Sequence, residues 1–409
     1  MVFFLVCMLS AGFNYWVDPY GLFGTNRLTG FNELKPATSE RVRVVKPYMA
    51  SRLKPRTVIG GNSRPEVGID PQSSCWKKSE QPIFNTGIPG AGVFMQVRYI
   101  QHAVESGDAQ LVLLGLDFLD FLIDSSKPVQ EIDWDHLGES FDGRLHSLQT
   151  GRNLLITFQK LKDIFNGLFS LVTLQDSIIT IISQKNKYSA TRREDGFNPG
   201  FDYQPIINNE GQSVLFQQKN QEVLIRLRHS KLGLFDASGQ ISIPFEALKR
   251  FLSWSKNRRL NVILFINPYH SDYLTLIKIS GKWPIFEEWK RQITSIADKY
   301  AIPLWDFNTI DQYSTESPPL PGDKHSQLQW YWEPAHYRRE IGDLMLASML
   351  NRDCSAAQSN FRLGSKIMIP ILQDHLNSLA SDLQRFIDEH PHVVNRIMNN
   401  VSSKNQGTP

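Results

Sequence analysis

The sequence is short of cysteine. Its 409 residues include three, Cys7, Cys75 and Cys354, without metal-ligand spacing. At most one disulfide can form, so no cystine framework defines the fold. Paired ligands of the His-Glu-x-x-His type are absent too, and neither a metal nor another cofactor is expected. There is no P-loop, and Gly87, Gly90 and Gly92 are wrongly spaced for a dinucleotide fingerprint. Charge of one sign is also missing. A dispersed net charge of +3 argues against nucleic acid as a partner. No internal repeat or long low-complexity tract interrupts the chain, and 41% apolar with 11% aromatic content excludes global disorder.

Formal charge is lacking altogether over residues 1–17, a run rich in Phe, Leu, Val and Met. That is the lower limit for a bilayer-spanning helix, which needs roughly 17–25 residues. With neither a basic leader nor a small-x-small cleavage site, it reads as an uncleaved membrane anchor, the alternative being a buried first element. Residues 18–56 form a basic lead-in, with Arg27, Lys35, Arg41, Arg43, Lys46, Arg52, Lys54 and Arg56. By the positive-inside rule that flank alone favours a cytoplasmic C-terminal side.

Short apolar runs at 56–61, 82–85, 110–115, 260–266 and 302–307 alternate with helical patterns at 91–106, 245–257, 285–300 and 338–350. Continuous apolar strands belong to a parallel sheet covered on both faces. The expectation is a doubly wound α/β domain of three layers with a five-stranded parallel sheet, formed by 57–120 and 258–350. Residues 121–257 are expected as a mainly helical insertion or lid over one sheet edge, with helices near 145–183. The tail, 365–409, is expected as a helix ending in a frayed segment from Asn399.

Ligands in such sheets bind beyond the carboxyl ends of the strands, and polar residues follow the strands there. The first is followed by Asn62-Ser63-Arg64, the second by Asn85 and a glycine-rich loop, the third by Asp117, and the fourth by Asn267 and His270. A serine on a strand-to-helix turn is a nucleophile only beside a base. His336 is that base, and Glu333, three residues earlier, can fix its tautomer. Pro334 suits a first helical turn, so a helix start would carry Glu333 near its cap and His336 one turn on. Gly90 can bring a backbone N–H close to a developing oxyanion. Arg64, Asn85, Asp117 and His270 are candidates for substrate contact, His270 also for a competing base. Taken singly, each of these motifs has a plainer reading as a capped helix, a packing turn or a loop residue bonded to backbone.

Together the motifs resemble those of the SGNH/GDSL hydrolase superfamily, over roughly 18–120 and 260–350. Gly61-Asn62-Ser63-Arg64 is similar to its nucleophile block, and Asn85-Thr86-Gly87-Ile88-Pro89-Gly90 to its second block. Glu333-Pro334-Ala335-His336 is similar to its terminal Asp-x-x-His block, with glutamate for aspartate. The third block departs: Gly115-Leu116-Asp117 stands where the family carries Gly-Asn-Asp. Leucine cannot donate to an oxyanion, so Asn267 or a main-chain N–H substitutes or one donor is missing. The resemblance implies a membrane-anchored protein of the bacterial inner membrane with an extracytoplasmic, periplasmic catalytic domain. It would be an esterase or O-acyltransferase passing an acyl group from a donor, through Ser63, to water or a polysaccharide acceptor. A membrane acyl-transfer protein would be its partner. The alternative is a non-catalytic carbohydrate-binding or scaffold protein on a decayed SGNH domain, which Leu116 favours.

Overall fold

The apolar runs become the interior of a mixed α/β fold. The computed structural model describes residues 1–128, 141–146, 153–354 and 362–402. Strands β1 (Thr57–Gly60), β2 (Ile83–Asn85), β3 (Leu111–Leu116), β4 (Asn261–Ile266) and β5 (Leu304–Asp306) run parallel. A sixth, β6 (Ser365–Ile367), pairs antiparallel with β5. The sheet is therefore one strand wider than the five expected. Three residues with only Ile367 buried leave no periodic signal, which is why β6 is not legible beforehand. Spatial order is β2-β1-β3-β4-β5-β6. The winding reverses between β1 and β3, and in sheets of this kind ligands bind beyond the carboxyl ends of the strands at that point.

Alternate side chains of each strand enter different cores. Val58, Val112, Leu114, Val262 and Leu264 join one, roofed by helices Val93–Ser106, Ile243–Asn257, Trp283–Lys299 and Ile369–Glu389. Ile59, Leu113 and Phe265 join the other, roofed by Arg339–Leu350. Each fully buried Leu or Phe contributes about 1.5–3 kcal/mol against exposure. The tail is thus part of the sheet's packing, with Leu372, Leu376, Leu379 and Leu383 facing inward at helical spacing. Of the end expected to fray from Asn399, residues 399–402 belong to helix Pro391–Ser402, and 403–409 lie outside the described residues.

The insertion is helical but serves two places. Its first helices, Asn153–Phe169 and Leu171–Ser183, pack on the N-terminal helix Val2–Val17, not over a sheet edge. The expected helical stretch from 145 is described only at 145–146 and from 153 onward, since 147–152 lie outside the described residues. Helix Ile243–Asn257 belongs to the sheet's own layer, and the stretch between 185 and 212 reaches β2 and the Ser63 helix, where the Asn85 N–H donates to the Asp195 carbonyl and the Asn198 N–H to the Glu66 carbonyl. Cys75 and Cys354 form a disulfide across 279 residues.

Candidate active site

Chain geometry brings Ser63 and His336 together from 273 residues apart. β1 ends at Gly60, and the helix Ser63–Gly68 begins after Asn62, whose Oδ1 accepts from the Arg64 N–H at 3.0 Å. An Asn at this position satisfies a donor that the first helical turn otherwise leaves free. The helix then lies hard against the C-terminal segment. A Cβ on Gly68 would come within 2.0 Å of the Tyr337 ring, and one on Gly342 within 1.8 Å of the Gly68 carbonyl. Only glycines permit that approach.

Ser63 Oγ lies 2.6 Å from His336 Nε2. On the other side of the ring Nδ1–H donates to Glu333 Oε1, which leaves Nε2 as the acceptor for the serine hydroxyl. Glu333 Oε2 accepts from the Ala335 N–H at 2.8 Å. Burial alone would push the Glu333 carboxyl up, but its pairing with His336, the charge of Lys219 and the Ala335 N–H hold it at about 2. The expected helix start at Glu333 is not what joins the two residues. Tyr331–Glu333 and His336–Tyr337 are strands of a tight hairpin turning at Pro334-Ala335, with Glu333 opposite His336. The helix begins only at Arg339. Cross-strand neighbours at a two-residue turn sit as close as residues one helical turn apart, so the spacing alone could not tell the two apart. The hairpin is held by Gln212, which donates to the carbonyls of Tyr331 and Trp332 at 2.8 and 3.0 Å.

Several residues expected to meet substrate are instead internal supports. Arg64 is buried, pairs with Asp117, and donates through Nε to the Ala335 carbonyl at 2.9 Å. It therefore positions the residue next to His336. Asp117 also accepts from the Tyr269 hydroxyl at 2.9 Å. Asn85 donates to the Pro65 and Ile69 carbonyls at 2.8 and 3.0 Å and accepts from the Gly87 N–H, tying β2 to the Ser63 helix. His270 Nδ1 accepts from the Asp272 N–H and Nε2 donates to the Glu316 carbonyl. With both nitrogens engaged it is no competing base, although its own N–H holds the Pro334 carbonyl at 3.1 Å. Asn267 donates to the Leu116 carbonyl at 3.0 Å and accepts from Tyr337 at 3.1 Å, so its amide is committed to the sheet and not to an oxyanion. A buried polar group must find partners, and these five find them within the fold.

Gly90, expected to bring an N–H to an oxyanion, has no contact in the structure that tests the role. It is exposed, with φ of 66°, where side chains are disfavoured. Its loop is docked on the serine turn by the Ile88 N–H, which donates to the Gly61 carbonyl at 3.1 Å.

Three further groups carry no local signal that marks them beforehand. Glu66, on the Ser63 helix, is completely buried between Lys46 (2.9 Å) and Arg192 (2.8 Å). Lys46 also donates to the Gly87 carbonyl, so lead-in, glycine loop, insertion and Ser63 helix meet at one carboxylate. Tyr203, from the insertion, stacks on Trp332 at 5.1 Å and stands 6.1 Å from the His336 ring. Asp120 accepts from Asn62 Nδ2 at 3.0 Å and Gln96 Nε2 at 2.8 Å. Burial, then the neighbouring Asp117 charge, pushes its carboxyl up to about 7 from the ordinary 3.8. A raised acid keeps its proton longer in the folded than in the unfolded chain, so it weakens the fold as pH rises between those values. We expect Asp120→Asn to flatten stability between about pH 4 and 7, read by urea midpoints across that range.

Among the described residues no cluster of three or more His, Cys, Asp or Glu could hold a metal ion. No protein-family model matches the chain, and no curated protein matches it in sequence.

Proposed function

We propose that this chain is an SGNH-like serine esterase or O-acyltransferase, held at a bacterial inner membrane and working outside the cytoplasm on an envelope or extracellular polysaccharide. The observation that carries the reading is the 2.6 Å contact between Ser63 and an imidazole whose far nitrogen is bonded to a buried carboxylate. In the reaction Ser63 Oγ attacks the acyl carbonyl while its proton passes to His336 Nε2. The leaving oxygen then takes that proton, and an acyl-Ser63 ester remains. Water or a sugar hydroxyl, deprotonated by the same nitrogen, resolves the ester. The Ser63 N–H and the Gly90 N–H are the proposed oxyanion donors, and Glu333 orients the ring. An acyl donor, a polysaccharide acceptor and a membrane acyl-transfer protein are the partners this chemistry calls for. The strand order, with Ser63 directly after the strand beside the reversal, agrees with ligand sites in doubly wound sheets. The Cys75–Cys354 disulfide supports an oxidising compartment.

One observation favours the second reading, a non-catalytic carbohydrate-binding protein. Leu116 is buried and offers no side-chain donor, and a lost oxyanion donor costs about 2.7–4 kcal/mol of transition-state stabilisation. A fluorophosphonate probe decides between them. It should label the folded protein at one site, and Ser63→Ala should abolish the label. Folded protein that takes no label would leave the binding reading standing.

A further inference from the structure

The three helices that pack together away from the sheet are built inside out. Along Leu171–Ser183 the buried side chains are Thr173, Ser177 and Thr180, the last two with no exposed surface. The apolar ones face outward: Leu171 is 81% exposed and Ile182 64%. Asn153–Phe169 repeats the pattern. Its Asp163 is turned in toward Arg144 and Tyr48, whereas Phe158, Leu161, Phe165 and Phe169 make an exposed stripe. Helix Val2–Val17 completes the unit. Its Asn14 is fully buried, donates to the Leu168 carbonyl at 2.9 Å and accepts from the Ser177 hydroxyl at 2.9 Å, while Phe3, Phe4, Leu5 and Leu9 point outward.

Water around these helices would select the opposite arrangement. Polar groups joined across helices, under an apolar exterior, suit a hydrocarbon surround. No single described helix is long and apolar enough to cross a bilayer. The pair Ile156–Phe169 and Leu171–Ser183 has the length and composition together but bends by 63°, the shape of a wedge and not of a straight span. The charges bordering the wedge have one sign. Lys160 and Lys162, within the first helix, and Lys185 and Lys187, just after the second, are exposed, whereas the two acids of the segment, Asp163 and Asp176, are engaged with Arg144 and with Tyr20 and Arg41. That complements anionic headgroups.

We propose that helices Val2–Val17, Asn153–Phe169 and Leu171–Ser183 form one bilayer-embedded unit, so the chain grips an anionic lipid membrane at two places 136 or more residues apart in sequence. This deepens the membrane attachment of the reading above and is independent of its chemistry. The insertion, joined to the Ser63 helix through Arg192 and Glu66, then fixes Ser63 relative to the lipid surface instead of leaving it on a tether.

Single cysteines test this in the full-length chain, in a Cys7→Ser background with the disulfide intact. A polarity-sensitive dye is attached at Phe4→Cys, Phe165→Cys, Ile179→Cys or, as a control on an exposed apolar residue elsewhere, Ile225→Cys. The protein is reconstituted in vesicles of phosphatidylcholine and phosphatidylglycerol carrying brominated acyl chains. Dye at positions 4, 165 and 179 should shift to the blue and lose intensity at least twofold to bromine, and dye at 225 should do neither. Quenching at position 4 alone would overturn the proposal and leave a single anchor. A shift at 165 and 179 in native membranes but not in vesicles would also overturn it, since a membrane protein would then cover the stripe. Fluorophosphonate labelling of the same samples reads the Ser63 chemistry separately, so either can fail without the other.

Discussion

Glu333→Gln should lower turnover of an activated ester by about 10⁴-fold while leaving the fold intact. The carboxylate does one job that an amide cannot. It accepts the Nδ1–H of His336 and so reserves Nε2 for the Ser63 hydroxyl. A glutamine can equally present its NH₂ group to Nδ1, which moves the ring proton to Nε2 and turns the base away from its substrate proton. Steady-state hydrolysis of a p-nitrophenyl ester measures the loss, with the thermal midpoint as the control for folding. Because Glu333 is held at about 2, it stays ionised through the whole range in which activity can be assayed. Any fall in rate on mild acidification therefore reports another group, and a wild-type limb that moved with Glu333→Asp would contradict this assignment. A residual rate above 10% of wild type in Glu333→Gln would do so as well.

The second large effect is on stability. Glu66→Gln should cost about 3–5 kcal/mol, the usual consequence of removing one partner from a buried ion pair. Its carboxylate lies between Lys46 and Arg192 with none of the three reaching water appreciably. Burial would push Glu66 up, but the two cations hold it below the ordinary carboxylate range. A depressed acid stabilises the fold above its unfolded value and loses that contribution as pH falls through the folded one. Wild type should accordingly lose stability on acidification below about pH 4.5, and the variant should show less of that loss from a lower starting point. Urea denaturation at neutral and acid pH measures both. A change under 1 kcal/mol would mean that the cations find other partners.

How far the sequence reveals this architecture depends on the kind of signal. The five parallel strands are legible because both faces are covered, which makes the apolar runs continuous: Leu111–Leu116 is readable with no neighbour in view. Ser63, Glu333 and His336 could be singled out by type and spacing, but not the hairpin that joins the last two, since a helical turn and a two-residue β-turn both bring residues i and i+3 together. The polar residues at strand ends were harder. Asn85, Asp117, Asn267 and His270 occupy the right end of the sheet, yet whether such a residue faces a ligand or bonds to backbone depends on partners far away in sequence. Asn267 takes Tyr337, 70 residues on, and Asn85 takes Pro65 and Ile69, before it. The Lys46–Glu66–Arg192 group is invisible for the same reason: three ordinary charges in three segments, with nothing local to mark them as buried. Likewise Thr173, Ser177 and Thr180 read as a polar face until Asn14 shows which side is the inside.

The Cys75–Cys354 bond has an outcome for a damaged molecule. Ser63 precedes the enclosed segment and His336 lies within it. Cleavage by a protease in the loop around residues 185–200 would put Ser63 and His336 on separate polypeptides, yet the cystine would still link them. Such a nicked protein should migrate as one species on a non-reducing gel and as two after reduction, and its two halves stay joined until the thiols are freed.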